Sequence, residues 1–456
     1  MFKRMNKAIS SVLFMGLSAW GKIAECKTTE EGFYEQTQVT SHLNYWQRTR
    51  HEWDATAQNS DVKSTLKQAV LAQNIDITSG YALNTLGLDI GLFSSAPLTA
   101  SQGSIHPNTM GLSQEKQLSE ERYSGDRAGW SYYKAAGKWR SGPFWARLGY
   151  LQPHGQGLLA TNWSFVPGTY RGLEAGVKLP QPSGVLEMSY FWSDQYKAPW
   201  YTKTDSFLQG DGRTRIHYLH TLGLKYQDDK DYSVEAAWGQ AQGYRQQFFF
   251  KVSRPVNITL MPALMTYQLY AARDQKQEDA QYTDLAWLQA LTIGSTQGSL
   301  GWRIEATSVK AEGSMGYFTP RMTPAYGSSN GRMDIGWDSR SDFNAHGERA
   351  LYTGITYKLS KEERGLTVGI AHTYAWNARP AGSIDIQQQT SLTEQAWRYS
   401  IAYKLRTGSD RYTQFDFRHI RYRNSANGSP QQSGYSSIPL KSNESILSVS
   451  VPLKFL

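Results

Sequence analysis

Charged residues recur at alternate positions along many segments of this chain, on the face opposite the apolar side chains. One such segment is 171–178, where Glu174 and Lys178 alternate with Leu173 and Val177. Mixed charge with a basic excess is what a water-filled passage needs in order to stay wet and carry an internal field. The inward set predicted from the alternation is Lys134, Lys138, Arg147, Lys178, Lys225, Arg303, Lys358, Arg398, Lys404 and Arg418, with Asp89, Glu174, Glu235, Glu305 and Asp416.

Aromatic residues form a second set that could contact a solute. Trp163, Phe165, Trp200, Trp337 and Trp376 lie in loops or near the ends of predicted strands, among polar residues. An aromatic ring there could stack on the C–H face of a sugar, since it offers a large apolar surface. Most of the other Trp and Tyr residues fit the interfacial girdles of a membrane protein.

Catalysis is a weaker interpretation of the same chain. Tyr326-Gly327-Ser328-Ser329-Asn330-Gly331 superficially resembles the serine region of outer-membrane phospholipase A. A nucleophilic serine needs an adjacent base, but Gly327 stands two residues before Ser329 where that family has histidine. The sequence also lacks metal-spaced His/Cys clusters, phosphate-cradling loops and nucleotide fingerprints. We therefore expect no enzymatic activity, no cofactor and no metal.

The elements that carry these residues follow from the apolar pattern. The 456 residues are 39% hydrophobic, 19% charged and 13% aromatic, with 40 Gly. Past the N-terminus, no apolar run approaches the roughly 18 residues of a membrane-spanning helix. Alternating segments rich in Tyr, Trp and Gly are typical of a transmembrane β-barrel. In 86–92, Leu86, Leu88 and Ile90 face one way and Asp89 the other, so we expect Asp89 in the lumen.

The first 26 residues predict a secretory signal, because basic residues precede an apolar stretch from Ala8 to Trp20. Residues 27–456 are then a single barrel domain. The net charge of +9 would also suit a nucleic-acid binder, but an exported chain whose basic residues are dispersed does not favour that function. Cys26 is the only cysteine, so an internal disulfide is excluded.

Alternation and turn residues together predict about 18 antiparallel strands, joined alternately by short periplasmic turns and long extracellular loops. The last strand alternates through Leu447, Val449, Val451, Leu453 and Phe455, and an even count lets it pair with the first. The loop from Pro153 to Gly168 is unusually apolar, and in a barrel it can fold into the lumen and narrow it. A soluble propeller is the alternative, but it would show a repeat of about 40 to 50 residues, and none is visible.

Motifs along nearly the whole mature length resemble the OprD-type porins, and among them the chitoporin group of enteric bacteria. They include Tyr45-Trp46-Gln47-Arg48, Gly87-Leu88-Asp89-Ile90, Tyr133-Lys134-Ala135-Ala136, Pro167-Gly168-Thr169-Tyr170, Tyr196-Lys197-Ala198-Pro199-Trp200, Ser328-Ser329-Asn330-Gly331-Arg332 and Arg340-Ser341-Asp342-Phe343-Asn344-Ala345. The resemblance implies an 18-stranded, monomeric barrel in the outer membrane of a Gram-negative bacterium. It also implies passive uptake of chitooligosaccharides into the periplasm, contacts with membrane lipid and lipopolysaccharide, and insertion by the barrel assembly machinery.

The residues expected along the substrate path combine both sets. Trp163, Phe165 and Trp200 would meet sugar faces, while Arg147, Glu174, Asn330, Asp338 and Arg340 would exchange hydrogen bonds with hydroxyl and acetamido groups. Trp46, Tyr170, Tyr196, Trp337 and Asp342 complete the predicted path. A channel for basic amino acids or small carboxylates, like other OprD-type porins, stays open as an alternative. A surface adhesin or phage receptor without transport is a third possibility.

Overall fold

The computed structural model describes residues 32–53, 62–100, 112, 128–160, 165–199, 201–258, 261–276, 280–324, 329–337, 339–360, 364–382, 391–408 and 411–454. The predicted signal segment and three residues of the predicted path, Trp163, Trp200 and Asp338, lie outside these ranges.

Within the described residues, the regular secondary structure is almost entirely antiparallel strand. The strands are β1 (Gln38–Trp53), β2 (Val62–Thr78), β3 (Leu86–Ala100), β4 (Gly129–Ser141), β5 (Phe144–Leu151), β6 (Thr169–Gln181), β7 (Gly184–Lys197), β8 (Asp205–Leu208), β9 (Arg215–Ile216), β10 (Leu219–Asp228), β11 (Ser233–Ala241), β12 (Arg245–Ile258), β13 (Met261–Asp274), β14 (Ala286–Gln297), β15 (Leu300–Lys310), β16 (Arg349–Lys358), β17 (Gly365–Ala378), β18 (Leu392–Arg406), β19 (Tyr412–Asn424) and β20 (Lys441–Lys454). One turn of 3-10 helix, Gln431–Ser433, lies in the last loop.

Closure of the sheet confirms the predicted barrel. β1 pairs with β2 on one side and with β20 on the other, where Thr40 opposes Lys454 and Trp53 opposes Lys441. β7 pairs directly with β10, because β8 and β9 form a small hairpin within the loop between them. The remaining 18 strands form a closed antiparallel ring. Closure satisfies the strand edges, which a bilayer would otherwise leave without hydrogen-bond partners.

The two faces of the wall meet different surroundings. Leu88, Leu173 and Ile401 point outward and are 41%, 38% and 46% exposed on the isolated chain, as lipid-facing side chains should be. Side chains one position away point into the barrel, and Lys138 there donates to Asp89 at 2.8 Å. The inward orientation predicted for Asp89 is therefore confirmed. In the described part of the chain, no helix is long and apolar enough to cross a membrane.

Several strands extend beyond their predicted ends at the side of the long loops. The alternation in the sequence predicts the first strand at about residues 33–47, whereas β1 runs from Gln38 to Trp53. The sequence also predicts Tyr196 and Lys197 in a loop, but they are the last residues of β7. The β8–β9 hairpin was not predicted. The physical reason is that strand ends above the lipid meet polar surroundings on both faces, so the hydrophobic alternation that marks a spanning strand fades there.

Candidate functional site

Residues 152–160 and 165–168, here called the constriction loop, leave the wall after β5 and enter the barrel. Their first anchor is the Glu174 carboxylate on β6, whose side chain is 1% exposed. Its Oε1 accepts the backbone amides of His154 at 2.8 Å and Gly155 at 2.7 Å. Arg147 on β5 forms an ion pair with the same carboxylate and donates to the Gln152 carbonyl at 2.8 Å. Arg147 and Glu174, predicted separately as lumen residues, thus form an ion pair that fixes the start of the loop.

Further along, the constriction loop is held by hydroxyl groups of the wall. The Gln156 amide donates to Ser189 Oγ at 2.7 Å, and the Leu158 amide donates to Thr221 Oγ1 at 2.9 Å. Gly223 on β10 gives the loop room, because a Cβ at that position would lie 2.0 Å from the Gln156 carbonyl oxygen. Loop backbone and wall are therefore in direct contact.

The end of the constriction loop lies against another part of the wall, formed by β1 and β2. Asn74 on β2 donates to the Phe165 carbonyl at 3.0 Å. The Phe165 ring packs on a buried cluster that contains Trp46 and Val70, and Val166 is buried in a separate cluster. The described residues of the loop thus contact β6, β7 and β10 at its start and β1 and β2 at its end, which confirms that it folds inward.

A second segment, residues 311–348 between β15 and β16, also enters the barrel and is here called the inner loop. Leu159 of the constriction loop and Gly331 of the inner loop form an isolated antiparallel bridge. Next to it, the Arg332 amide donates to the Leu158 carbonyl at 2.7 Å. The Tyr170 hydroxyl accepts the Asn330 amide at 2.8 Å. The two loops therefore form one structure across the lumen.

A charge network connects the inner loop to β11 and β12. Arg332 reaches Glu235 Oε2 from Nη2 at 3.0 Å and Asp334 Oδ2 at 2.7 Å. Lys251 donates to the same Asp334 oxygen at 2.7 Å. Burial alone would raise the pKa of Asp334, but the Arg332 and Lys251 charges outweigh it and hold the pKa of that carboxyl below its ordinary value. The carboxylate therefore stays ionised and keeps its ion pairs.

Trp337 of the inner loop packs against β15 and β16. Its indole N–H donates to Glu305, which also accepts a hydrogen bond from Arg303 Nη2 at 2.6 Å. Its ring lies 5.9 Å from that of Tyr352 with an interplanar angle of 13°. The indole is 6% exposed, so it stabilises the loop and offers a solute little surface.

Beyond Trp337 the inner loop reaches β1 at a cluster of arginines. Arg340 donates to Glu52 at 2.8 Å, and Arg50 lies 3.7 Å from the same carboxylate. Glu444 on β20 pairs with Arg50 and lies 3.9 Å from Arg48. Three guanidinium groups thus surround two carboxylates, so this cluster carries a net positive charge.

The predicted path residues fall into two classes. Tyr170 and Tyr196 are buried with ring centroids 4.5 Å apart, and Trp46 is 5% exposed. These three, like Glu174 and Trp337, support the loops. The second class has more open surface. It comprises Arg147, Phe165, Asn330 and Arg340, which are partly exposed, and Asp342, which is exposed. Trp163, Trp200 and Asp338 lie outside the described residues.

Several residues of the site were not predicted from the sequence. Arg48, Arg50 and Glu52 continue the inward alternation of β1 past its predicted end, so a longer strand would have included them. Arg332 and Asp334 stand at positions i and i+2 of an irregular loop, where no periodicity could assign them to the lumen. Among the described residues, no group of three or more His, Cys, Asp or Glu side chains could hold a metal ion.

No family model matches the sequence. The protein named chitoporin from Escherichia coli (strain K12) is 40% identical over 448 residues, which cover 96% of this chain and 95% of that protein. OpdK of Pseudomonas aeruginosa, solved with vanillate, is 15% identical with a TM-score of 0.70 and covers 93% of this chain and 100% of its own. OccAB1 of Acinetobacter baumannii is 14% identical with a TM-score of 0.73, and the match covers 95% of this chain and 100% of that chain. The two structures establish the fold, and the relative establishes the family: this chain belongs to the chitoporin family of outer-membrane porins.

Proposed function

We propose that the protein is a channel for passive diffusion of chitooligosaccharides, chains of β-1,4-linked N-acetylglucosamine, across the outer membrane. The observation that carries this proposal is the 40% identity with a chitoporin along nearly the full length of both chains. No energy coupling is needed, because weak and repeated sites along a pore allow a solute both to enter and to leave.

The charges of the passage support an uncharged solute. Glu174, Glu235, Glu305 and Asp334 all have a basic partner in the described structure. Paired charges give a neutral sugar many hydrogen-bond donors and acceptors without a strong field for one ionic sign. A channel selective for ions would instead need a marked excess of one sign at its narrowest part.

We place the sugar against the side chains of the predicted path that have open surface. Arg147, Asn330, Arg340 and Asp342 would exchange hydrogen bonds with hydroxyl and acetamido groups, and Phe165 would meet an apolar ring face. We propose the same contacts for Trp163, Trp200 and Asp338. Glu174, Trp46, Tyr170, Tyr196 and Trp337 would act indirectly, by fixing the two loops.

Single-channel recording tests the function. Purified protein in a planar bilayer should carry an ohmic current that chitohexaose blocks transiently at micromolar to millimolar concentrations, whereas arginine and benzoate should leave the current unblocked. Phe165→Ala should shorten the blocks without abolishing the current, since it removes one apolar contact of a repeated set. Blocks by benzoate or arginine but none by chitohexaose would refute the proposal, and absence of any current would favour a surface receptor.

The arginine cluster supports a second candidate, a channel for small carboxylates. Arg48, Arg50 and Arg340 outnumber Glu52 and Glu444, and such a wall attracts anions. A channel with this function should show strong anion selectivity in a salt gradient, and benzoate should block it. A channel for basic amino acids predicts cation selectivity instead.

A further inference from the structure

The outward face of β19, β20 and β1 carries basic residues at its upper end. Phe417 on β19 points to the lipid and is 39% exposed, so Arg421 and Arg423, four and six positions on, lie on the same outward face. On β20, Glu444 points inward, which places Lys441 on the outward face. Arg421, Arg423 and Lys441 are here called the rim patch.

The strand register brings the rim patch together. Arg421 opposes Asn443 on β20, two positions from Lys441. Lys441 opposes Trp53 on β1, and the Arg423 guanidinium lies 5.1 Å from the centroid of that ring. Adjacent strands are about 4.8 Å apart, so the three cations lie within reach of a single headgroup.

The height of the rim patch matches the polar boundary of the membrane. Arg421 directly opposes Trp397 on β18, whose indole is 39% exposed on the outward face. Outward tryptophans mark the level of the lipid headgroups. The strands carry the patch from this level upward, on the side of the long extracellular loops. It therefore faces the headgroups of the outer leaflet.

Acidic partners distinguish this face from the rest of the rim. Arg171 on β6 donates to Asp194 at 2.9 Å, and Lys310 on β15 donates to Asp284 at 2.9 Å. On the described strands around the rim patch, the nearby carboxylates Glu52 and Glu444 point inward. Among the described residues, the outward face there therefore carries a net positive charge.

The known contacts of the patch leave donors for a ligand. Within the described structure, the hydrogen bonds of Arg423 all use Nη1, which donates to the carbonyls of Tyr422 and Ser442 and to Asn443 Oδ1. Lys441 donates to the Ala426 carbonyl at 3.1 Å, one of the three bonds that an ammonium can form. The guanidinium fork suits the oxygens of a phosphate, which accept paired hydrogen bonds.

We propose that the rim patch binds a phosphate group of lipopolysaccharide in the outer leaflet. The acyl chains of the bound lipid lie along the apolar outer wall below the patch, and Arg421, Arg423 and Lys441 neutralise its phosphate. The site is separate from the passage, because its side chains point away from the lumen.

Lipid titration in detergent micelles tests the site. Purified protein is mixed with bisphosphorylated lipid A, and binding is followed by thermophoresis. The double variant Arg421→Gln, Arg423→Gln should bind about thirtyfold more weakly, at roughly a factor of five for each charge removed near a lipid surface. The matched control Arg273→Gln, Arg349→Gln removes two outward, exposed arginines from other parts of the same rim and should change the affinity less than threefold.

Two further binding measurements identify the ligand. Lipid A without phosphate should bind the wild-type protein as weakly as bisphosphorylated lipid A binds the double variant, and millimolar inorganic phosphate should compete only slightly. Equal binding by the double variant and the wild type, or by lipid A with and without phosphate, would overturn the proposal, as would full competition by inorganic phosphate. If the double variant fails to assemble, Arg421→Gln alone gives the same comparison with a roughly fivefold loss. Single-channel current and chitohexaose block should be unchanged in the assembled variant, so this proposal can fail independently of the transport function.

Discussion

Glu174→Gln should release the start of the constriction loop. In the wild-type protein this buried carboxylate accepts two backbone amides of the loop and pairs with Arg147. Glutamine has nearly the same shape and keeps one acceptor oxygen, but it removes the charge. Arg147 then keeps only the Gln152 carbonyl as a fixed partner in the described structure.

The free-energy cost of this substitution follows from the burial of the ion pair between Arg147 and Glu174. Glu174 is 1% and Arg147 17% exposed at the side chain, and breaking such a pair by removing one partner costs about 3 to 5 kcal/mol. The barrel wall does not depend on this contact, so the loss falls on docking of the loop and shifts the ratio of docked to undocked loop by about two to four powers of ten. Single-channel recordings should show larger mean conductance, more current noise and shorter chitohexaose blocks.

Glu187→Gln is the matched control, because it makes the same chemical change on the next strand. Glu187 accepts one hydrogen bond from the Gln156 side chain at 3.0 Å and lies 3.1 Å from Lys178, but its side chain is 30% exposed. An exposed pair of this kind contributes less than about 1 kcal/mol, so conductance should stay close to the wild-type value. If Glu174→Gln behaved like Glu187→Gln, Glu174 would not anchor the loop.

Three further changes test other parts of the passage. Gly223→Ala places a Cβ 2.0 Å from a carbonyl oxygen of the constriction loop, and should displace the loop at a cost of about 1 to 3 kcal/mol, seen as altered conductance. Arg332→Met leaves two carboxylates without their shared cation, and should shift the reversal potential in a salt gradient toward cation selectivity. Burial, together with the neighbouring Glu394 carboxyl, raises the pKa of Glu348 well above its ordinary 4.5. The folded state therefore holds a proton that the unfolded chain releases, so inner-loop docking should weaken as the pH rises above about 4.5, and Glu348→Gln should remove this dependence in limited proteolysis from pH 5 to pH 9.

Each of these changes has a control or an outcome that would contradict it. Gly137→Ala adds the same methyl group in a strand position with nothing within 4 Å, and should leave conductance unchanged. Unaltered ion selectivity in Arg332→Met would show that its charge does not act on the permeating ions. Proteolysis that accelerates equally with pH in the wild type and in Glu348→Gln would remove the buried carboxyl as the cause.

The wall of the barrel could be predicted because its determinants are local. Leu88, Leu173 and Ile401 meet lipid while their neighbours meet water. Apolar and polar side chains therefore alternate with a two-residue period along each spanning strand. Closure required only an even number of strands. The ends of the strands lacked this signal, and β1 was therefore predicted six residues too short at Trp53.

The interior of the passage could be predicted only in part. The inward positions of Arg147 and Glu174 were predicted because both residues lie on regular strands, but their ion pair was not predicted. The contacts of the inner loop join residues far apart in sequence, as in Arg340 with Glu52, and an irregular backbone gives no rule for which way its side chains point. Aromatic residues near loops were expected to face a solute, but the indole of Trp337 is buried on the wall.

The hydrogen bonds and ion pairs that hold the two loops explain why so many charges line a passage for an uncharged solute. A loop in a water-filled lumen cannot rely on a large apolar core, so hydrogen bonds and ion pairs must hold it to the wall. Glu174 does this for the constriction loop, and Arg332 and Trp337 do it for the inner loop. Ion pairs shielded from water by the loop itself are stronger than exposed ones, but they stabilise only while both partners remain. The same residues therefore set the width of the passage and balance its charge. A substitution that removes one of them should alter conductance and ion selectivity together, whereas a substitution at a residue that only contacts the sugar should alter the duration of the block alone.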